Sequence, residues 1–460
     1  MRIPLDNDNP KPLYRQIVDF LEREIREGLL LKGQKLPSTR QLAESLGVNR
    51  ITVSTAYSDL ESKGLIFSLQ GSGTFVGGTM GFTPEDKKGR DFPISSVWRK
   101  WAQESSWESV QKNFSETFSP EGDLLINFAS GTSDPKLFPL SDFRKALQMV
   151  LVQDGVESLG YGDRWGYLPF RETIASILSA QGIPARAEEI LITSGAQQAA
   201  YLIAKAFLRP GDLVVTEALT YSGIIDLFRS FGARILTMPG DGEMDLTSSL
   251  EELLKRERIR FLYLIPNFNN PSGRCMSGEA RRRILALSLK YNTPIVEDDY
   301  VGDFRYDGKE LPALKALDSE GWVIYIRTFS KILVPGLRTG FMVADTNVLN
   351  RIAQEKRVQD LSGCELIHRA LTQFITVGRY NAHLRKSLRI YRRRRDFMVE
   401  SLKRYMPPQV TWNIPEGGLF LWLDLGKDLD GEILLKEALK RGVGFAPGSL
   451  FDPDSRIKTK

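Results

Sequence analysis

From Glu188 to Gly336 the chain alternates between two kinds of text, and this alternation restricts its fold more than any other feature. The runs "EEILITSGAQQAAYLIAKAFL", "DLVVTEALTYSGIIDLFRSFG", "RILTMPG", "IRFLYLIPNFNNPSG", "TPIVEDDYVGDF" and "GWVIYIRTFSKILVPG" are each β-rich, and several continue into helical text. Strands alternating with helices over this length argue for an α/β fold with a mostly parallel sheet. In such folds ligands sit beyond the carboxyl ends of the strands. The polar clusters "SGAQQA", "NNPSG", "EDDY" and "TFSK" fall where the strands should end.

At 460 residues the chain is too long for one small domain, so two or three units are expected. Its 62 basic and 57 acidic residues leave a net charge of +5, so nucleic-acid binding has to be sought in local clusters. Two cysteines, Cys275 and Cys364, provide neither a disulfide framework nor zinc spacing. Two histidines, His368 and His383, leave a Ser-His-Asp hydrolase or a His-rich metal site without its base or ligands. The N-terminus has no apolar signal core, and no run approaches the roughly 18 apolar residues of a membrane span. A cytoplasmic protein without membrane contact is expected.

The first eighty residues are written differently. Leu13, Ile17, Leu21 and Ile25 recur every four residues, forming one face of a helix that stops at Gly28. Ser38 with Gln41 is a capping box that starts a short helix ending near Gly47. A further helix starts at the cap candidate Asn49 and ends at Gly64, with Val53, Tyr57 and Leu60 facing inward. Two short β runs follow around Gly71-Ser72-Gly73. This is the pattern of a helix-turn-helix with a hairpin wing. Arg50 and Thr52 can meet base edges or phosphates, and the wing glycines let backbone approach a phosphate closely. A small helical module for protein contact would share the helical pattern. The segment "LPSTRQLAESLGVNRITVSTAYSDLESKGLIFSLQGSGTFV" resembles the winged helix of GntR-type bacterial repressors across nearly the whole module. The resemblance implies DNA contacts from Arg40, Arg50, Thr52, Gly71 and Gly73.

Residues 78–123 change character again. "GGTMGFTPEDKKGRDFP" is rich in glycine and charge, which reads as a tether, and three tryptophans follow in "SSVWRKWAQESSWESVQKNF". The expected organisation is therefore a head at 1–77, a tether at 78–123 and a large unit at 124–460.

The polar clusters of the large unit converge on one kind of ligand. Gly195, Ala196 and Gln197 open a helix whose free N–H groups can hold a phosphate, with Thr328 and Arg338 adding a hydroxyl and a guanidinium. Lys331 lies between these two in a run that otherwise reads as buried. An apolar pocket beside a cation would lower its pKa and favour the neutral amine that forms a Schiff base. Asp298 can pair with a protonated ring nitrogen, Asn270 and Tyr300 can bond a phenolic oxygen, and Tyr221 can stack on a ring. Taken singly, Asp298 as a helix cap or Asn270 as a turn residue before Pro271 would be the more natural reading. Together they describe pyridoxal 5′-phosphate.

From about Leu125 onward the chain resembles a fold-type I aminotransferase. The match is carried by "YGDRWGYLPFRETIASILSAQGI", "PNFNNPSG", "VEDDY" and "TFSKILVPGLRTGF". The resemblance implies that Lys331 is the Schiff-base lysine, Asp298 the pyridinium partner and Tyr221 the stacking ring. It further implies that Asn270 and Tyr300 contact O3′, that Thr328 and Arg338 hold the phosphate, and that Tyr161 lies near the cofactor of the other subunit in a homodimer. Family members usually carry a carboxylate-binding arginine after a "PGS.F" segment, whereas here "FAPGSLFDPDSRIKTK" places Arg456 too close to Phe451. A winged helix, a tether and an aminotransferase-like unit in this order resemble the MocR/GabR class of transcription regulators. That likeness implies a homodimer binding operator DNA and sensing a small amine, an amino acid or the cofactor itself. A working aminotransferase with an appended DNA-binding unit is the alternative. "HLRKSLRIYRRRRDF" adds Arg385, Arg389, Arg392 and Arg393 at helical spacing, a solvated or subunit-facing helix or a further DNA-contacting face.

Overall fold

The computed structural model describes residues 3–6, 9–31, 33–69, 73–77, 126–129, 131–238, 243–426 and 429–454. The tether 78–123, Gly71 and Arg456 lie outside the described residues. The chain divides into two compact units, 1–106 and 107–460.

The first unit holds three helices, α1 (Leu13–Arg26), α2 (Thr39–Leu46) and α3 (Arg50–Ser62), and a hairpin of β1 (Ile66–Leu69) with β2 (Gly73–Val76). Ser38 and Gln41 cap α2 reciprocally: the Ser38 N–H donates to Gln41 Oε1 at 3.0 Å, and the Gln41 N–H to Ser38 Oγ at 3.3 Å. Gly47, at φ 65°, closes α2 in the left-handed region that glycine adopts without a Cβ clash. The three helices meet through Ile17, Val18, Leu21, Leu42, Val53, Ala56 and Leu60, all fully buried. Tyr57 joins this core and satisfies its hydroxyl on the Pro37 carbonyl at 2.8 Å. Ile66 and Val76 pin the base of the hairpin to the same core, so the wing has one fixed root.

The second unit is built on a sheet of seven strands: β4 (Ile190–Thr193), β5 (Leu213–Glu217), β6 (Arg234–Met238), β7 (Ile259–Leu264), β8 (Ile295–Asp298), β9 (Val323–Thr328) and β10 (Gly340–Val343). Their order is β4-β10-β9-β8-β7-β5-β6. Apolar side chains pack on both faces, which is why the strands read as unbroken apolar runs. β10 was not among the runs picked out by sequence and is the one antiparallel member, paired with β4 and β9. The chain reverses directly after β9 without a crossover helix, and a direct return makes an antiparallel pair. As a result, β10 begins at the edge where the other six strands end. Smaller pairs are β3 (Ile126–Asn127) with β13 (Val443–Gly444), and β11 (Thr411–Trp412) with β12 (Leu423–Asp424). The arginine-rich segment lies in a 27-residue helix, Arg379–Tyr405. There Arg392 pairs with Asp307 at 2.7 Å and Arg394 with Asp134 at 2.5 Å, while Arg385, Arg389 and Arg393 are exposed. No described helix is long and apolar enough to cross a membrane.

Candidate functional site

The carboxyl edge of the sheet gathers the polar clusters. Lys331 lies three residues beyond β9 and is half-buried. Its Nζ donates to the Gly131 carbonyl at 2.9 Å, and Ser133 Oγ donates to the Lys331 carbonyl at 2.5 Å. Burial, and then the Arg338 cation, push the lysine pKa below its ordinary 10.5. Both causes disfavour the ammonium and enlarge the fraction of nucleophilic amine near neutral pH.

Arg338 enters from the start of β10, in the left-handed region at φ 45°. Its Nη2 donates to the Ser194 carbonyl at 2.8 Å and its Nη1 reaches Ser330 Oγ at 3.4 Å. Thr328 Oγ1 accepts the Ser330 N–H at 3.1 Å, so Thr328, Ser330 and Arg338 form one cluster. Facing them, Gly195 adopts φ 104°, and a Cβ there would meet Arg338 Nη2 at 3.1 Å. Ala196 and Gln197 begin the helix Ala196–Phe207, whose first N–H groups have no intrahelical acceptor. A cation, hydroxyls and a helix N-terminus make an anion cradle. Gln197 Nε2 also donates to the Gly223 carbonyl at 3.2 Å. The Tyr221 ring lies over Gly223, where a Cβ would come within 2.6 Å of it, and Tyr221 interacts electrostatically with both Asp298 and Arg338.

Asp298 ends β8 and is buried. Tyr263, from β7, donates its hydroxyl to Oδ2 at 2.5 Å, while Oδ1 is buried with no partner among the described residues. Burial is the main reason its pKa rises from 3.8 to about 7. A buried carboxylate oxygen without a donor is costly, and a ring N–H⁺ is the donor that would satisfy it. Asn270 Oδ1 is likewise buried without a partner, and the Tyr300 hydroxyl donates to the Phe268 carbonyl at 3.0 Å. An anion cradle, a buried unpaired carboxylate, a depressed lysine and a tyrosine ring between them fit pyridoxal 5′-phosphate. Tyr161 stands apart from this cluster, 92% exposed.

Replacing Asp298 with Asn tests the electrostatics without the cofactor. A carboxyl raised from 3.8 to about 7 by folding binds a proton that the unfolded chain has already lost, so its contribution to stability is complete below pH 4 and lost as pH rises to 7. Asn has no such loss. The melting temperature of cofactor-free Asp298→Asn relative to wild type is expected to climb between pH 4 and pH 7. The change amounts to about 4 kcal/mol, at roughly 1.4 kcal/mol per pKa unit. A pH-independent difference would show that burial does not strain this carboxyl.

Three site residues escaped the sequence reading. Tyr263 left a signal, a lone hydroxyl in the otherwise apolar strand "FLYLI", because a buried tyrosine needs an acceptor. Ser330 lies inside a cluster that was noted without being given a role. Gly131 left none, since it acts through a backbone carbonyl brought 200 residues across the chain.

On the head, Arg40 and Arg50 are exposed and have no ion-pair partner among the described residues, and Thr52 is half-buried. Several other cations of the same unit are matched, among them Arg15 with Asp59 at 3.0 Å and Lys63 with Glu22 at 3.0 Å. Unpaired guanidiniums at the starts of α2 and α3 suit a polyanion. Gly73 adopts φ 118°, a backbone conformation that strains any residue with a Cβ. Among the described residues no group of His, Cys, Asp and Glu could hold a metal ion.

Residues 124–458 match the family described as Aminotransferase class I and II, and residues 13–76 match Bacterial regulatory proteins, gntR family. The uncharacterized HTH-type transcriptional regulator YisV of Bacillus subtilis is 34% identical over 448 residues, covering 97% of this chain and 90% of YisV. Among solved structures, LysN, the α-aminoadipate aminotransferase of Thermus thermophilus complexed with N-(5′-phosphopyridoxyl)-L-leucine, superimposes with a TM-score of 0.69 at 38% identity, covering 73% of this chain and 85% of that one. The kynurenine aminotransferase of Pyrococcus horikoshii, in complex with PMP, superimposes with a TM-score of 0.73 at 34% identity over 79% of this chain and 92% of that one.

Proposed function

Since the chain belongs to the aminotransferase class I and II family and carries a gntR-family head, we propose that it is a pyridoxal 5′-phosphate-dependent transcription regulator. Its large unit reads a small amine or amino acid at Lys331, and its head holds operator DNA. The observation that carries this reading is the joining, in one chain, of exposed arginines without an ion-pair partner among the described residues to a pocket whose buried Asp298 keeps one oxygen without a donor among them. YisV, similar over nearly the whole chain, is itself described as a regulator.

When bound, the cofactor supplies an aldehyde that a neutral amine can capture and a ring that withdraws electrons. The chain does the rest. Arg338, Thr328, Ser330 and the N–H groups of Gly195, Ala196 and Gln197 would hold the phosphate, and Asp298 would keep a proton at the ring nitrogen. Asn270 and Tyr300 would hold the ring oxygen, and Tyr221 would cover a face. Lys331 Nζ has an alternative partner in the Gly131 carbonyl. Gly131 lies four residues beyond β3, whose partner is β13, so a change in the bond from Lys331 acts on the segment next to that small pair. An effector that competes with Lys331 thereby shifts an equilibrium between arrangements of the chain.

Operator affinity of the full chain, measured at fixed salt without cofactor, with cofactor, and with cofactor plus a panel of amines, tests this. A several-fold change with one amine is expected. A change with cofactor alone would identify the cofactor as the signal. An affinity indifferent to all of them would sink the regulator reading. The kinship with LysN favours a second reading, a working aminotransferase. Steady turnover of amino donor and keto acid, unaffected by deleting residues 1–77, would support that one.

The same reading has the chain act as a homodimer. Leu140, Val152, Val156, Leu159 and Tyr161 are between 65% and 92% exposed over a stretch of 22 residues, Leu140 to Tyr161, and apolar side chains crowded on a surface mark a protein contact. Wild type is expected to sediment as a dimer and Val156→Arg as a monomer. A dimeric Val156→Arg protein would place the contact elsewhere.

A further inference from the structure

We propose that Ile51 is a specificity-determining residue of the head, its side chain meeting the 5-methyl group of a thymine in the major groove beside Arg50. This rests on the DNA-binding reading above. It goes further by assigning one base-pair type to one side chain.

The side chains of α3 divide between core and solvent. Val53, Ala56, Tyr57 and Leu60 turn into the core, while Arg50, Ile51, Ser54, Thr55 and Ser58 stay exposed. Ile51 is the one large aliphatic on that outer face, at 73% exposure, so it contributes nothing to the packing of the head. An isoleucine held in water forgoes the stabilisation that burial would bring, so its apolar surface is free to be covered by a partner from outside. Its setting is also rigid. The Asn49 cap accepts the N–H of Ile51 itself at 2.9 Å, fixing the backbone at that residue. A β-branched side chain in a helix is held close to one χ1 rotamer, so little freedom is lost when it touches a ligand.

Residues in the first turn of a recognition helix are the ones that reach base edges. There, Arg50 and Thr52 offer hydrogen-bonding groups, which read donors and acceptors. An aliphatic side chain can read only an apolar group, and the thymine methyl is the one such group that a Watson–Crick pair displays in the major groove. Ile51 also borders a shallow groove of about 560 Å³ with Tyr14, Arg15, Ser54, Thr55 and Asp59. That lining is mostly hydroxyl and charge, which suits a phosphate-flanked groove better than an apolar protein segment.

The test uses the full chain with cofactor and duplexes selected from a randomised pool. Each thymine of the best duplex is replaced in turn by uracil, which removes only the methyl group. One replacement per half-site is expected to weaken wild-type binding about four-fold, the worth of burying one methyl-sized group. Ile51→Ala should bind the thymine and uracil duplexes equally, and Ile51→Val should retain most of the difference. Uracil replacements that leave wild-type binding unchanged, or a methyl effect that persists in Ile51→Ala, would overturn the assignment. So would an Ile51→Ala protein altered only in self-association. If the pool yields no preferred duplex at all, the DNA-binding reading itself fails, and the two failures are thereby told apart.

Discussion

Borohydride treatment of the wild-type chain with pyridoxal 5′-phosphate is expected to fix one cofactor per chain, read as added mass. Lys331→Ala should gain none. Lys331 lies three residues past the end of β9 with its pKa lowered by burial and by Arg338, so it is the amine at this edge prepared to be neutral. The variant should keep its fold, because its lost bond runs to a single backbone carbonyl, that of Gly131. Reduced Lys331→Ala protein carrying the added mass would assign the covalent role to a different lysine.

The second large effect concerns Asp298. Exchanging it for Asn should weaken cofactor affinity by a factor of roughly 10² to several times 10³, because removing one member of a buried charge pair costs about 3–5 kcal/mol. Tyr263→Phe should cost less, on the order of ten-fold, since it removes one hydrogen bond to that carboxylate and leaves the charge. The Asn variant carries an internal control. It should bind cofactor poorly and yet, without cofactor, melt higher relative to wild type at pH 7 than at pH 4, the opposite of what a damaged fold would do. Equal cofactor affinity in Asp298→Asn and wild type, by fluorescence titration, would remove Asp298 from the ring nitrogen.

These two residues show where a sequence is readable. Asp298 and Lys331 sit at the ends of apolar runs, and a charged group directly after a buried strand has few bland explanations when several recur in order. The caps of the head were legible for a similar reason: Ser38, Gln41 and Asn49 act on backbone two or three residues away. Ile51 was passed over because an isoleucine in a helix is ordinarily read as core, and only its exposure marks it as something else. β10 was missed because its four residues follow a turn rather than a helix, and nothing in a short apolar run declares its direction.

Local chemistry, then, was determined by sequence alone: the helices and their caps, the apolar strands, and the residue types waiting at strand ends. These follow from interactions within a few residues, which any reader of the chain can enumerate. Tertiary structure decided the rest. It set β10 antiparallel, so that Arg338 arrives at the edge where Thr328 ends β9 and Ser194 directly follows β4. It brought Tyr263 to one oxygen of Asp298 and left the other without a donor among the described residues. It also placed the Gly131 carbonyl 2.9 Å from Lys331 Nζ. Each of these depends on which segments meet in space, and a contact between residues 200 positions apart leaves no periodicity in the text that encodes it.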